Sequence, residues 1–430
     1  MNAPADIKGK PKPSDKAAAA IRLLRAAKGS VVASGAPEGF DAHLIHELAS
    51  AEPDSKPELF RPVLHIGRDD QRVEALRSAL HFFAPGAEVL QFPAWDCVPY
   101  DRVSPDAEIS GRRIATLARL ARLKDLTKPL IILTTVNATL QRVVPKDYMA
   151  KSAVRISAGA SIGMTAIAER LEAAGFNRSG TVMEPGEYAM RGGILDMFPP
   201  GQGRPVRLDF FGDTLESIRV FDPVTQRTQG SKDQVVLLPI SEVRTGAAVA
   251  KQFRQRYVEL FGTVKADDPL YESVSAGRRH PGVEHWLPLF YDKLDTLFDY
   301  LPDAYITMDY LVEDAKGRRI EQIADHYEAR VAGLEHSSFG AGVYKPVPTD
   351  TLFLNAKDWD NGLAKRDVRF FSPFNAPERE GITAIDFGGK QGRGFGIERA
   401  EQSDKLFSAV VAQIAKLKSE GKRVLVAAWT

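Results

Sequence analysis

The run Lys128-Pro-Leu-Ile-Ile-Leu-Thr-Thr135 constrains this chain more than any other segment. Four large apolar residues in succession, without polar alternation, suit a strand buried on both faces. Such a strand needs helices above and below it, and the neighbouring chain supplies them. Helical periodicity covers 17–27, 43–48, 72–83 and 110–123, the third with Val73, Leu76, Leu80 and Phe83 near one face. Strand patterns lie between them at 29–35, 61–67 and 88–92. Strands and helices alternating at this spacing predict a parallel α/β sheet.

The texture changes after Pro145. A helix predicted over 164–174 is followed by strand patterns at 186–198, 204–211 and 215–221, the last two joined by Gly212-Asp213, a hairpin signal. This reads as a small α+β module with an antiparallel sheet. Mixed structure then returns, with helices predicted over 247–260, 293–297 and 312–334 and strands over 304–308, 352–354 and 368–371. A glycine-rich stretch, Phe387-Gly-Gly-Lys-Gln-Gly-Arg-Gly-Phe-Gly396, precedes a helix predicted over 403–418. An apolar, buried-type strand, Arg423-Val-Leu-Val-Ala-Ala-Trp429, closes the chain.

The 430 residues suit about three domains. The expected division is a disordered Pro/Lys/Asp-rich start over 1–16, the first part of an α/β domain over 17–145, and the inserted module over 146–228. The chain returns to the first domain over 229–360, and a further, interrupted α/β domain begins over 365–430. Lys and Arg number 57 against 56 Asp and Glu, so no bulk positive field draws the protein to nucleic acid. The single cysteine, Cys97, excludes an internal disulfide or a multi-cysteine zinc site and suits a reducing compartment. No apolar run reaches the length of a membrane span, and the first residues lack a secretory apolar core, so a cytoplasmic protein is expected.

The loop Ser34-Gly-Ala-Pro-Glu-Gly-Phe-Asp41 follows the first strand, where an α/β motor places its phosphate loop. A working loop needs a Lys for the terminal phosphates and a Ser or Thr for magnesium. The loop, with Ser34, Gly35, Glu38, Gly39 and Asp41, has no Lys and no Ser or Thr at its end, and the two carboxylates would repel phosphate. The loop therefore reads as structural and holds no cofactor. The stretch 388–396 contains Lys390 and Arg393 but not the GxxxxGK[ST] order, and reads as a mobile surface loop. His280 and His285, near Trp286, suit packing or turns better than metal ligation. Cys97 reads as a small core residue. Arg112, Arg113, Arg119 and Arg122 give one helix a basic face, either simply solvated or in contact with phosphate. In the module, Arg178, Arg191, Arg207 and Arg219 lie among aromatics, as at protein interfaces, although a half-exposed sheet needs the same alternation.

Several of these segments together resemble a family. Gly186-Glu-Tyr-Ala-Met-Arg-Gly-Gly-Ile-Leu-Asp-Met-Phe-Pro199, Val206-Arg-Leu-Asp-Phe-Phe-Gly-Asp213 and Ile218-Arg-Val-Phe-Asp-Pro223 resemble the UvrB-homology module. So does Phe92-Pro-Ala-Trp-Asp-Cys-Val-Pro-Tyr-Asp-Arg-Val-Ser-Pro105, in the form found in bacterial transcription-repair coupling factors. Gly282-Val-Glu-His-Trp-Leu-Pro-Leu-Phe290 resembles the segment where those chains return to their first domain. The resemblance covers about residues 20–360 well and 365–430 loosely. UvrB itself carries an intact phosphate loop and a long aromatic hairpin soon after it, and this chain has neither.

The resemblance implies a degenerate, helicase-like phosphate-loop domain carrying the inserted module. Full-length family members are ATP-driven double-stranded DNA translocases that displace stalled RNA polymerase and recruit UvrA. Their motor, with its ATP and magnesium, lies downstream of the region matched here, so the chain is expected to be a fragment or a truncated product. The N-terminal region recruits UvrA without hydrolysing ATP and helps hold the full protein closed. Within the resemblance, the UvrA contact falls to Arg191, in the GEYxxRG motif, then to Arg178, with Ile194 and Phe198 as apolar neighbours. The alternatives are a UvrB-type nucleotide-dependent DNA-damage-processing enzyme, or an α/β protein with no repair role.

Overall fold

A computed structural model of the chain describes residues 13–51, 59–264, 268–335, 344–376, 383–390, 392–401 and 403–426. The expectation of disorder over 1–16 falls outside them for 1–12, while the first helix already begins at Pro13. The opening third alternates as its periodicity requires. Strands β1 (Ser30–Ser34), β2 (Val63–Gly67), β3 (Glu88–Phe92) and β4 (Leu130–Thr135) are interleaved with helices α2 (Phe40–Ala49), α3 (Asp70–Phe83) and α4 (Ala107–Ala121), behind α1 (Pro13–Ala26). Asp69 caps α3 by accepting from Arg72 N–H at 2.7 Å, and Asp106 caps α4 by accepting from Glu108 N–H at 2.8 Å. All six residues of β4 are buried. Leu130 and Ile132 enter the core on one face, Ile131 and Leu133 the core on the other, as a two-residue period dictates.

The module follows. Its strands are β5 (Val154–Ser157), β6 (Asn177–Arg178), β7 (Glu187–Arg191), β8 (Ile194–Met197), β9 (Val206–Phe211), β10 (Thr214–Phe221), β11 (Thr228–Lys232) and β12 (Gln234–Leu237). Six of them form one sheet in the order β11-β10-β9-β8-β7-β6, antiparallel except for β6 beside β7. The single strand expected over 186–198 is a hairpin instead, because Gly192 adopts a φ of +59° and turns the chain between β7 and β8. The helix Met164–Ala173 buries Ile167 and Leu171 against Tyr188, Leu195, Met197, Val206 and Leu208. Strands β5 and β12 pair as a two-stranded antiparallel ribbon, and Val235 and Leu237 join the module core. The module therefore runs past the expected boundary at 228 to Leu237.

The chain then returns to the large sheet through β13 (Tyr305–Asp309), β14 (Val368–Phe371) and β15 (Thr383–Asp386). Among the described residues that sheet has seven parallel strands in the order β15-β1-β14-β13-β2-β4-β3. The expected start of a separate domain at 365 is thus corrected for 368–386, since β14 and β15 flank β1. The helix expected over 293–297 is displaced to Leu297–Tyr300, where Thr296 and Asp299 form a capping box. The strand expected over 352–354 is a short helix, Thr349–Leu352, followed by an isolated bridge from Phe353 to Gln141. The terminal apolar run forms no strand over 423–426, where Leu425 and Val426 are exposed, and 427–430 lie outside the described residues.

Two contacts fix the module, and the chain that leaves it, to the first domain. Gly111 on α4 meets the module backbone at Pro200 and Gly201, and a Cβ on Gly201 would stand 2.6 Å from the Gly111 carbonyl oxygen. Arg113, two residues further along α4, is fully buried and donates to Glu242 Oε1 at 3.1 Å and to the Pro93 carbonyl at 2.8 Å. Glu242 Oε2 also accepts from Trp95 Nε1–H at 2.9 Å.

Candidate functional site

The loop after β1 and the carboxyl ends of β2 and β13 meet at one edge of the large sheet, where parallel α/β folds hold ligands. Set against GxxxxGK[ST], the loop has Ser34 for the first glycine, Phe40 for the lysine and Asp41 for the magnesium-binding hydroxyl. Asp41 Oδ1 accepts from the N–H groups of Gly39 and Ala42, each at 2.9 Å. Its carboxylate thus takes backbone donors that a working loop offers to phosphate. Arg72 crosses from α3 to pair with Asp41, and its Nε lies 3.2 Å from Asp309 Oδ1 and 3.8 Å from Glu38 Oε1. The next amides are spent as well: Gly35 N–H donates to the Phe374 carbonyl at 3.1 Å and Ala36 N–H to that of Ser372 at 2.8 Å.

The glycine-rich segment closes this edge from outside. Phe387 N–H donates to the Ser34 carbonyl and Gly389 N–H to that of Gly35, both at 2.9 Å, and the Phe387 ring stands edge-on to Phe40. Gly35 has a φ of +59°, and a Cβ there would lie 2.7 Å from Asp386 Oδ1. Over 388–389 the expected mobile loop is therefore packed, with Phe387 before it, against the phosphate-loop position. A nucleotide and its magnesium do not fit these residues.

The outer face of the small sheet is built differently. Tyr188, Met190, Leu195, Met197, Val206 and Leu208 point toward the helix Met164–Ala173, so the alternate residues Ala189, Arg191, Ile194, Asp196, Arg207, Asp209 and Phe211 face away from it. Arg207 makes a two-pronged contact with Asp196 at 2.7 and 2.8 Å and lies 4.8 Å over the Phe221 ring. Arg219 Nε donates to Asp209 Oδ2 at 2.7 Å. Arg191 is exposed at the end of β7 and donates to Thr181 Oγ1 at 2.7 Å and to the Gly180 carbonyl. Ile194 is its cross-strand neighbour, and Phe211, 78% exposed, stands beyond Asp209 at the β9–β10 turn.

Of the four residues expected at the contact, only Arg191 and Ile194 come together. Arg178 is exposed, but parallel pairing sets it level with the core-facing Tyr188, hence on the opposite face from Arg191. Phe198 is on the outer side of the sheet but only 8% exposed, because it packs with Val182, Ala189 and Phe221 in a small cluster of its own. Phe211 was missed, although the inward parity of Val206, Leu208 and Phe210 marks it as outward-facing.

The basic face expected on α4 is mostly consumed. Arg113 is buried, Arg119 Nε donates to Glu88 at 2.9 Å, Arg122 donates to the Ala150 carbonyl, and exposed Arg112 pairs with Glu108 one turn away. His285 is buried edge-on to Trp95, with Nε2 at 3.7 Å from Cys97 Sγ. Burial, with Asp96 and Asp101 nearby, pushes the Cys97 thiol up to about 12, so it stays protonated and is a poor nucleophile. Burial also pulls His285 down to about 4 against the opposing charge of Asp101. The unfolded chain then takes up this proton first, near pH 6.5. Stability from His285 is present above that pH and is lost as pH falls through 4, about 3 kcal/mol in all. A His285→Phe variant should flatten the acid limb of a urea-unfolding pH series, and an unchanged slope between pH 6.5 and 4 would count against it.

These features find their counterparts among known proteins. Residues 154–242, the module with its closing ribbon, match the UvrB interaction domain family. The chain is also similar to several transcription-repair-coupling factors. It is 38% identical to that of Haemophilus influenzae over 245 residues, covering 56% of this chain and 21% of that protein. With that of Escherichia coli it shares 35% identity over 242 residues, and with that of Rickettsia bellii 28% over 368 residues, or 84% of this chain and 31% of that protein. The matched part spans less than a third of the length of each of these relatives. No helix among the described residues is long and apolar enough to cross a membrane.

Proposed function

We propose that this chain is the UvrA-recruiting region of a cytoplasmic transcription-repair coupling factor, and that it docks UvrA on the outer face of the small sheet without hydrolysing ATP. The observation that carries this reading is the exposed Phe211 on the same face as Arg191 and Ile194, inside the matched UvrB interaction domain. A large exposed aromatic on the same face as an arginine suits an interface centre, whereas Arg207 and Arg219 already have carboxylate partners and would set the register of the face. RNA polymerase and double-stranded DNA would be engaged through other parts of the longer protein, where ATP and magnesium would also act. Titration of the chain with purified UvrA should give a saturable complex, and its absence would overturn the proposal.

The competing UvrB-type reading requires this chain to bind nucleotide. With the loop amides bonded internally and Asp41 facing Arg72, calorimetry with Mg-ATP is expected to give no heat of binding at millimolar nucleotide. Micromolar affinity would restore the nucleotide-dependent enzyme.

A further inference from the structure

The edge of the large sheet holds three carboxylates and two arginines, and one of the arginines, Arg72, is buried between two of the acids. Asp41 and Asp309 are both buried, and Arg72, itself 4% exposed, pairs with both. The more exposed Glu38 reaches the same guanidinium at 3.8 Å and is shared with Arg68 at 2.6 Å. Asp309 also accepts from Arg68 N–H at 3.0 Å and lies 3.7 Å from the fully buried His65 ring. The positions of the two buried acids carry the meaning. Asp41 stands where a phosphate loop has its magnesium-binding Ser or Thr. Asp309 ends a strand two places from β1, at the carboxyl edge where phosphate-loop folds keep the acidic residue that holds the same ion.

We propose that Arg72 is a resident cation, fixed in the place a phosphate-loop fold gives to magnesium, and that it makes this half of the molecule self-liganded and independent of nucleotide. Two buried carboxylates cannot share an edge without a positive charge between them, because each would be desolvated and would repel the other. In a nucleotide-binding fold a divalent ion comes and goes with its ligand. Here the charge belongs to α3 and stays. The phosphate side is closed in the same manner, since the Asp41 carboxylate supplies the anion for the Gly39 and Ala42 amides. One residue therefore serves both ends, as internal anion to the loop and as counter-ion to Arg72.

The test is thermal unfolding of Arg72→Ala beside the unaltered chain and a neutral triple variant, Arg72→Met with Asp41→Asn and Asp309→Asn. Arg72→Ala is expected to melt roughly 5–15 °C lower. Millimolar Mg²⁺ should recover several degrees of that loss, leave the unaltered chain unmoved, and have no effect on the triple variant. A folded Arg72→Ala protein with no response to Mg²⁺ overturns the proposal, as does stabilisation of the unaltered chain by Mg-ATP. Should Arg72→Ala fail to fold, the triple variant decides: folding supports a role in charge balance, and failure to fold overturns it.

Discussion

An Arg113→Ala variant is expected to lose about 3–5 kcal/mol of stability. Arg113 and Glu242 are both buried, and removing the guanidinium leaves a carboxylate whose remaining bond is to Trp95 Nε1–H. The Pro93 carbonyl also loses its donor, and the Phe92 ring loses a cation 4.3 Å from its centroid. Because Arg113 lies on α4 and Glu242 just past β12, the loss should fall on the junction. Urea unfolding followed by far-ultraviolet circular dichroism should separate into two transitions in place of one. The double variant Arg113→Met with Glu242→Gln removes both charges and should regain most of the loss. A single mutant within 1 kcal/mol of the unaltered chain would show that the pair contributes little.

The second large effect concerns partner binding. Phe211→Ser and Arg191→Ala should each weaken the complex with UvrA about 30-fold, the equivalent of about 2 kcal/mol at an interface centre. Both side chains are exposed, so the melting temperature should hardly move. That separates lost contact from lost fold. Phe82→Ser is the matched control, since Phe82 is also 78% exposed but lies on α3 in the other domain. Arg178→Ala should have a much smaller effect, because Arg178 is on the reverse face. Arg191 also ties down the loop at Gly180 and Thr181, so Arg191→Lys, which keeps the charge but loses the planar fork, should recover only part of the affinity. Equal binding by Phe211→Ser and the unaltered chain would remove the outer face as the docking surface.

The parts of the fold that were legible in sequence are those where one residue pattern has one physical solution. Val63–Gly67 and Leu130–Thr135 are mostly apolar strands, buried throughout, and each lies inside the parallel sheet between two neighbours. The Phe211-Gly-Asp213 turn joins β9 and β10 as its glycine predicts, with φ +58° at Gly212. What was not legible depended on contacts distant in sequence. Nothing near Thr383–Asp386 says that it pairs with β1, some 350 residues earlier, and the segment reads locally as the start of something new. The polar Thr228–Lys232 lacks strand periodicity and pairs only because β10 offers a free edge.

The candidate site shows the same division. The missing lysine and hydroxyl of the phosphate loop can be read from eight consecutive residues, but Arg72 and Asp309, which replace the lost chemistry, lie on other elements. Arg191 stood out by its motif. Phe198 was drawn in by the same motif, yet the strand had already ended and its ring folds back beside Val182.

The β5–β12 ribbon has a practical consequence. Entry to the module at Val154 and exit at Leu237 are cross-strand neighbours, so the two connections leave side by side. Such an attachment behaves as a cassette socket. The segment between the cuts keeps its own core, and bridging the gap needs only a short linker rather than a rebuilt sheet. Transplanted onto an unrelated host by the same paired ends, the segment would carry the outer face of its sheet along and leave the seven-stranded platform behind.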